Sequence, residues 1–241
     1  MTDSLAFLAI GIKVAAWFDT MIEAAIFDVD GTIIDSVDLH AKAWQAAFAK
    51  FGKKISLHQI RRQIGKGADQ LLPVFFSEQE LDEFGKELDE YRSELFKKEY
   101  LPLVKGFPKV RELFQRIKHD RKRIALASSA KAEELEIYKK IAKVADLIES
   151  QTSSEGADKS KPHPDIFEAA LGQLPGITLD QVIVVGDTPY DAEAAAKANL
   201  QTIGLLCGGG WKEKHLRQAG CIAIYKNPAD LLARYDKSPL A

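Results

Sequence analysis

The stretch IEAAIFDVDGT, residues 22–32, is the most informative part of the chain. It begins as a short apolar run suited to a β-strand and ends abruptly in two aspartates, a glycine and a threonine. Near-continuous apolar strands are typical of parallel sheets that are covered on both faces. We therefore predict a buried strand whose carboxyl end presents Asp28 and Asp30.

The same pattern of an apolar run recurs four times along the chain, at residues 123–129, 182–187, 201–206 and 221–225. The segments between most of these runs place apolar residues at i, i+3 and i+4, the spacing of amphipathic helices. Strands that alternate with helices predict a doubly wound, Rossmann-like α/β fold with a parallel sheet. Ligands of such folds bind beyond the carboxyl ends of the strands.

Residues 37–104 break this alternation, because their apolar positions follow helical spacing throughout. Leu39, Trp44 and Phe48 lie on one such stripe, which Gly52 closes as the residue after a helix C-terminus. The sequence therefore predicts an α/β core formed by residues 21–36 and 105–241, with an all-helical second domain, residues 37–104, inserted into it.

Residues 1–20 require a separate interpretation, since Leu5 to Phe18 is mostly apolar. The run is too short to cross a bilayer. It also lacks the basic residues that precede the apolar part of a secretory signal, because Asp3 comes first and Lys13 interrupts the run. We expect an N-terminal extension here, with the native start at Met21.

The composition excludes several classes of protein. The chain has 241 residues, 33 Lys+Arg against 35 Asp+Glu, 46% hydrophobic and 28% charged residues, as ordinary globular enzymes do. This balance gives no reason to expect a nucleic-acid or membrane partner. The two cysteines, Cys207 and Cys221, form neither a disulfide framework nor a zinc motif. We expect a reducing, cytoplasmic location.

Asp28 and Asp30 suggest phosphoryl chemistry if a turn brings both to one site. Asp28 can attack phosphorus as a nucleophile and form an aspartyl phosphate. Asp30 can protonate the leaving oxygen and later activate water, which requires the site to raise its pKa above the usual value of about 3.9. In isolation the pair is also compatible with two solvated turn residues.

Asp187 and Asp191 repeat this arrangement after another predicted strand, where they open an Ala-rich helix. Clustered carboxylates without a thiolate or imidazole suit Mg²⁺, which prefers oxygen ligands and keeps water and substrate phosphate in its shell. Asp191 has a second interpretation, because an acidic residue in the first turn of a helix is favourable without any metal.

Three further residues are candidates for binding the phosphoryl group. Ser128 and Ser129 end a predicted strand, where hydroxyl and backbone N–H groups can hold phosphoryl oxygens; they are equally suited to capping the next helix. Lys161 lies in the Pro-rich turn KSKPHPD, residues 159–165, and can neutralise both the attacking carboxylate and the phosphate.

Together these stretches resemble the four motifs of the haloacid dehalogenase superfamily of phosphotransferases, from Met21 to the C-terminus. The matching positions are residues 28–32, Ser128, Lys161 with Pro162, and residues 186–191. The resemblance implies an obligatory Mg²⁺ held by the Asp28 carboxylate, the Asp30 main-chain carbonyl and Asp187, with Asp191 supporting the site. The helical insert resembles the C1-type cap of the branch that contains phosphoglycolate phosphatases and β-phosphoglucomutases.

The resemblance also points to substrate-contacting residues in the cap. Lys66, in GKGAD at residues 65–69, resembles part of a substrate-specificity loop. His40 resembles the cap histidine of β-phosphoglucomutases, which also use a late cap lysine; the matching place is near Ser93, with Arg92, Lys97 and Lys98 as imperfect candidates.

The leading hypothesis is a Mg²⁺-dependent phosphatase acting on a small phosphorylated metabolite, phosphoglycolate or a sugar phosphate. The alternative within the same fold is a sugar phosphomutase. A metal-dependent glycosyltransferase, which would use Asp-x-Asp to hold a nucleotide diphosphate, has no need of Ser128, Lys161 or Asp187.

Overall fold

A six-stranded parallel sheet lies at the centre of the computed structural model, which describes residues 21–241. The predicted extension, residues 1–20, lies outside the described residues. In chain order the strands of residues 21–241 are β1 (Ala24–Phe27), β2 (Ile34–Asp35), β3 (Lys105–Gly106), β4 (Arg123–Ala127), β5 (Ser150–Thr152), β6 (Val182–Gly186), β7 (Gln201–Leu205) and β8 (Ala223–Tyr225). Two of these strands, β2 and β3, form a separate small sheet. The order in the six-stranded sheet is β5-β4-β1-β6-β7-β8. Strands β4 and β5 are added on one side of β1 and the later strands on the other, so the strand order reverses between β1 and β6. This switch point is where doubly wound folds bind ligands.

Ten α-helices accompany the strands in residues 21–241. They are α1 (Val37–Lys50), α2 (Leu57–Arg61), α3 (Ala68–Leu71), α4 (Glu78–Leu95), α5 (Val110–His119), α6 (Ala132–Ala142), α7 (Asp165–Gly172), α8 (Pro189–Lys197), α9 (Glu213–Gln218) and α10 (Pro228–Ala233). The side chains of successive residues of β1 pack on opposite faces of the sheet. Phe27 packs in the cluster that contains α5 and α6 residues, and Ile26 packs with α7 and α8 residues. Every residue of β1 is buried, which explains its unbroken apolar sequence.

The predicted fold class is confirmed, and all five predicted strands of the sheet are present. The sixth strand, β5, was not predicted because its residues, Ser150, Gln151 and Thr152, are polar and few. It lies at the edge of the sheet and pairs only with β4. None of the helices in the described part of the chain is long and apolar enough to cross a membrane.

Helices α1 to α4 surround a hydrophobic cluster of their own, which includes Trp44, Phe48 and Leu88. Gly52 follows α1 with a φ of 82°, as its predicted C-terminal role requires. The short antiparallel pair of β2 and β3 joins the two ends of this helical segment. We propose that residues 37–104 are the cap domain, inserted between core segments 21–36 and 105–241.

Candidate active site

The sheet brings together carboxylates that are distant in sequence. Asp28 follows β1 and Asp187 follows β6, and these strands are parallel neighbours. Carboxylate oxygens of Asp28, Asp187 and Asp191 lie within 4.8 Å of one another, and all three residues are buried. The site therefore forms at the switch point of the sheet, from residues that the sequence had suggested separately.

Lys161 neutralises part of this negative charge. Its side chain is fully buried, and its Nζ lies 2.6 Å from Asp28 Oδ1 and 2.7 Å from Asp191 Oδ1. The same Nζ donates to the carbonyl oxygen of Ala127, at the end of β4, at 3.3 Å. One ammonium group thus faces three buried carboxyl groups, so the charges would not balance if all three were ionised.

The pKa values of the site reflect this imbalance. Burial, reinforced by the charge of Asp191 and opposed by Lys161, raises the pKa of Asp28 to about 7. Burial and the charges of Asp28 and Asp191 raise the pKa of Asp187 well above its usual value. Burial works against the charged form of Lys161, but Asp191 and Asp28 outweigh it and raise its pKa.

The three carboxylates of the cluster have different hydrogen-bond partners. Asp191 is fully engaged, because Oδ1 contacts Lys161 and Oδ2 accepts from the backbone N–H of Thr188 at 3.0 Å and from its hydroxyl at 2.7 Å. The backbone bond, together with the bond from the backbone N–H of Asp191 to the Thr188 hydroxyl at 3.3 Å, forms the capping box of α8. Asp28 Oδ2 and Asp187 Oδ1 share the hydroxyl of Thr32, at 2.9 and 3.3 Å.

Two glycines leave room around the second oxygen of Asp187. A Cβ atom at Gly31, whose φ is 85°, would lie 2.4 Å from Asp187 Oδ2, and one at Gly208 would lie 1.6 Å from it. Both distances are far shorter than van der Waals contact. The backbone therefore approaches this carboxylate as closely as it can, and only glycine fits at either position.

We expect Gly208→Ala to displace the Asp187 carboxylate and to reduce activity by at least about tenfold, since small misplacements of catalytic groups have costs of this order. Gly210→Ala is the matched control, because its Cβ would lie 3.8 Å from the nearest atom, Arg61 O. Steady-state kinetics of both variants test this. Equal activities would show that the position of Asp187 does not depend on the close approach of Gly208.

Asp30 does not belong to this carboxylate cluster. Its Oδ1 accepts a hydrogen bond from the hydroxyl of Ser36 and lies 3.0 Å from Nε2 of His40. Burial favours the protonated form, but His40, the Ser36 hydroxyl and Lys161 outweigh it and lower the pKa of Asp30. The expectation that the site raises this pKa is therefore wrong, because Asp30 has hydrogen-bond donors that the sequence did not reveal.

His40 extends from α1 of the cap to the core. Its Nε2 also lies 3.0 Å from the hydroxyl of Tyr138, which itself donates to Glu134. The ring stacks on Phe96 with the centroids 3.9 Å apart. Tyr138 and Glu134, both on α6, were not among the sequence candidates, since they look like ordinary members of an amphipathic helix.

The two serines after β4 occupy different positions. Ser128 is fully buried, and its hydroxyl accepts from the backbone N–H of Ala130 at 3.1 Å. Ser129 borders the cavity between cap and core, and its hydroxyl is buried without a hydrogen-bond partner in the described structure. An unpartnered hydroxyl beside a cavity suits a group that binds a ligand.

That cavity has a volume of about 310 Å³ and reaches both Asp28 and Asp30. Lys66 lines it, with Nζ donating to Gln63 Oε1 at 2.8 Å and lying 4.6 Å from the centre of the Tyr190 ring. The late cap contributes Arg92, Ser93 and Lys97 to the lining, whereas Lys98 does not border the cavity.

Arg92 has a buried side-chain nitrogen without a hydrogen-bond partner in the described part of the chain. Its guanidinium lies 4.4 Å from the centre of the Trp44 ring, and one of its terminal nitrogens lies 3.4 Å from Asp89. Its Nε is buried and has no hydrogen-bond partner within residues 21–241. The sequence placed it near a family position for a cationic residue, but nothing in the sequence indicated its contact with Trp44.

The cap also touches the core beside Lys161. The backbone N–H of Gly67 donates to the Ser160 hydroxyl at 2.8 Å, and the hydroxyl and the backbone N–H of Ser160 both donate to Asp69. Ser160 immediately precedes Lys161. The cap loop is thus bonded to the segment that carries the buried ammonium group.

Comparisons with known proteins agree with this geometry. A model of the haloacid dehalogenase-like hydrolase family matches residues 25–205. The chain is 28% identical over 215 residues to a phosphorylated carbohydrates phosphatase of Thermotoga maritima, covering 87% of this chain and 96% of that one. It is 30% identical over 195 residues to a phosphoglycolate phosphatase of Aquifex aeolicus, covering 76% and 84%. A β-phosphoglucomutase structure from Clostridium difficile, 22% identical, superimposes with a TM-score of 0.72 over 91% of this chain and 97% of that one.

Proposed function

Because the chain belongs to the haloacid dehalogenase-like hydrolase family, we propose that it is a Mg²⁺-dependent phosphatase that hydrolyses a small phosphomonoester through an aspartyl phosphate on Asp28. The family and the general class of enzyme, a phosphatase, are confirmed by the matches. The observation that best supports the finer proposal is the buried cluster in which Lys161 bonds both Asp28 and Asp191 beside Asp187.

Asp28 is the proposed nucleophile. A carboxylate oxygen of Asp28 forms a bond to phosphorus while the bond between phosphorus and the leaving oxygen breaks. Lys161 and Thr32, which bond the two oxygens of Asp28 in the free protein, hold the carboxylate in one orientation. Fixing a nucleophile in this way removes much of the entropic cost of the reaction.

Asp30 is the proposed general acid and base. It protonates the leaving oxygen and later accepts a proton from the water that hydrolyses the aspartyl phosphate. His40, the Ser36 hydroxyl and Lys161 lower its pKa, and the negative charge of a bound substrate would act in the opposite direction, towards the protonated form that the first step needs. His40 holds Asp30 in position from the cap.

The donor set fits Mg²⁺. Asp28 and Asp187 are proposed to ligate the ion through carboxylate oxygens and Asp30 through its main-chain carbonyl, while Asp191 supports the site through Lys161 and Thr188. These are hard oxygen donors with an unbalanced negative charge, as Mg²⁺ requires. When bound, the ion would neutralise charge on the phosphoryl oxygens.

The phosphate is proposed to contact Lys161, Ser128 and the free hydroxyl of Ser129. The rest of the substrate then occupies the cavity, where His40 and Lys66 are proposed contacts. The cavity walls carry both cationic and acidic side chains as well as Trp44, so they offer donors and acceptors to a polyhydroxy compound; they include Lys66, Arg92, Lys97, Asp69, Asp89 and Asp158. A phosphorylated carbohydrate is therefore the favoured substrate class, as the name of the T. maritima relative also suggests.

A second candidate function, a sugar phosphomutase, is favoured by one observation: His40 of the cap bonds the proposed acid Asp30. The two functions differ in their products. A phosphatase releases inorganic phosphate continuously, whereas a mutase releases little and is activated by a sugar bisphosphate.

We expect a panel of small phosphomonoesters with Mg²⁺ to give steady phosphate release from at least one sugar phosphate or phosphoglycolate, with no stimulation by glucose 1,6-bisphosphate. Excess EDTA should abolish the release, and added Mg²⁺ should restore it, because removal of the cation leaves the carboxylate cluster uncompensated. Isomerisation of a sugar phosphate that depends on the bisphosphate would contradict the proposal in favour of the mutase. Activity that survives complete metal removal would contradict the role of Mg²⁺.

We further propose a cytoplasmic location. Cys207 and Cys221 are both free thiols, and burial raises the pKa of each above its usual value. Such inert, reduced thiols suit a reducing compartment.

A further inference from the structure

A second cavity, of about 270 Å³, lies at another junction of cap and core. The cap contributes residues from α2 and the turn after it, and the core contributes the glycine-rich segment before α9 and the start of that helix. The lining residues are His58, Arg61, Arg62, Gly209, Gly210, Trp211, Lys212 and His215. The two cavities share none of their lining residues.

The charged groups of the second cavity are cationic. Arg61, Arg62 and Lys212 are basic side chains, and no carboxylate belongs to the described lining. Arg61 pairs with Asp38, just outside the cavity, but no carboxylate of residues 21–241 lies within ion-pair distance of Arg62. The pKa of His215 is lowered, by burial and by positive charges that include Arg62 and Lys212, as expected where cations accumulate.

Contacts within the structure hold the two arginines in position. The guanidinium of Arg62 lies 3.5 Å from the centre of the Trp211 ring, and its carbonyl oxygen accepts from the hydroxyl of Tyr190 at 2.8 Å. Arg61 Nη1 donates to the carbonyl oxygen of Gly209. Gly209 has a φ of 75°, and a Cβ there would lie 2.5 Å from Arg61 Nη2, so the backbone makes room for the arginine.

We propose that this cavity is a second anion site, which binds an oxyanion such as a phosphate group, free or carried by a small metabolite. Arginine guanidinium groups match the geometry of phosphate oxygens, and Lys212 adds a third charge to the same space. Because the cap and the core both contribute lining residues, a bound oxyanion contacts the cap and the core together. The site is separate from the carboxylate cluster and does not depend on the proposed reaction.

Indole N–H resonances can test the proposal, because each cavity has its own tryptophan. Trp44 lines the catalytic cavity and Trp211 the second one, while Trp17 lies outside the described residues. Protein labelled with ¹⁵N-tryptophan is titrated with inorganic phosphate at constant ionic strength, with chloride as the control anion. Glucose 6-phosphate is titrated against Asp28→Asn, which is expected not to hydrolyse it. Trp211→Phe assigns the resonance.

The Trp211 resonance should shift and saturate with phosphate but not with chloride. Lys212→Gln should weaken this binding by about tenfold, the value of one charge-assisted hydrogen bond. Arg217→Gln is the control, since Arg217 lies in the adjoining helix α9, pairs with Glu213 and does not line the cavity. This substitution should change the binding by less than about twofold. A response to both ligands indicates that the phosphate group alone is recognised, and a response to inorganic phosphate only indicates a free-anion site; either supports the proposal.

Two results would overturn it. In the first, the Trp44 resonance moves with phosphate while the Trp211 resonance does not. In the second, Lys212→Gln and Arg217→Gln weaken binding equally, which would indicate a diffuse positive field and no defined site.

Discussion

Asp28→Asn should abolish phosphate release, with a loss of at least about a thousandfold in kcat, as expected when the nucleophile of a covalent mechanism is removed. The substitution keeps the size of the side chain and removes the charge that attacks phosphorus. It also weakens the contact between Asp28 Oδ1 and Lys161 Nζ, which are 2.6 Å apart in the unmodified protein. The expected loss is therefore in kcat, while the sheet and the cavity remain intact.

Asp35→Asn is the matched control, since it makes the same chemical change at an exposed position seven residues along the chain in β2. Its activity should stay within about twofold of the unmodified protein, because surface substitutions away from a site have small effects. Circular dichroism of both variants checks the fold. Full Mg²⁺-dependent activity of Asp28→Asn would show that Asp28 is not the nucleophile.

Lys161→Met should destabilise the protein by about 3–5 kcal/mol at pH 8, the usual effect of removing one partner from a buried ion pair. The variant leaves Asp28, Asp187 and Asp191 buried without their compensating ammonium. Lys159→Met, two residues away and exposed, should cost less than about 0.5 kcal/mol. Urea unfolding without Mg²⁺ measures both free energies.

The destabilisation should also depend on pH. Lys161 has a raised pKa, so its contribution in the unmodified protein is complete at neutral pH and is lost only at strongly alkaline pH. In the variant the carboxylates decide the outcome. A buried carboxyl whose pKa is raised in the folded state stabilises the fold when it is protonated. For Asp28, with a pKa of 3.8 as the ordinary value and about 7 in the folded protein, this contribution is lost as the pH rises from the first value through the second.

Lys161→Met should therefore be less destabilised at pH 5 than at pH 8. Unfolding curves at these two pH values provide the test. An equal loss at both would mean that lost packing, and not uncompensated charge, is the cause.

The sequence predicted the α/β core well because its strands are buried on both faces. Val182 to Gly186, for example, are all buried, so packing permits only apolar residues and glycine there. Asp28 and Asp187 were predictable for the related reason that polar residues directly after such strands must meet at one edge of the sheet. Strand β5 escaped prediction because an edge strand of three polar residues has no such pattern.

The contacts between cap and core could not be predicted in the same way. His40 lies in α1 at a position that fits an ordinary amphipathic helix, and only the folded arrangement brings it to Asp30 and Tyr138. The lowered pKa of Asp30 follows from His40, the Ser36 hydroxyl and Lys161, which together outweigh burial. The bond between Gly67 and Ser160 likewise joins residues whose sequence contexts give no sign of each other.

The central claim is that phosphate is transferred to Asp28 before it reaches water. The most direct measurement starts from protein that is turning over a sugar phosphate in the presence of Mg²⁺. The reaction is quenched, the protein is reduced with borohydride, and its peptides are mapped by mass spectrometry. An aspartyl phosphate is reduced to homoserine, so we predict homoserine at position 28 only when substrate is present. Unchanged aspartate at position 28 under conditions that trap a known acyl phosphate, or homoserine at another position, would contradict the account.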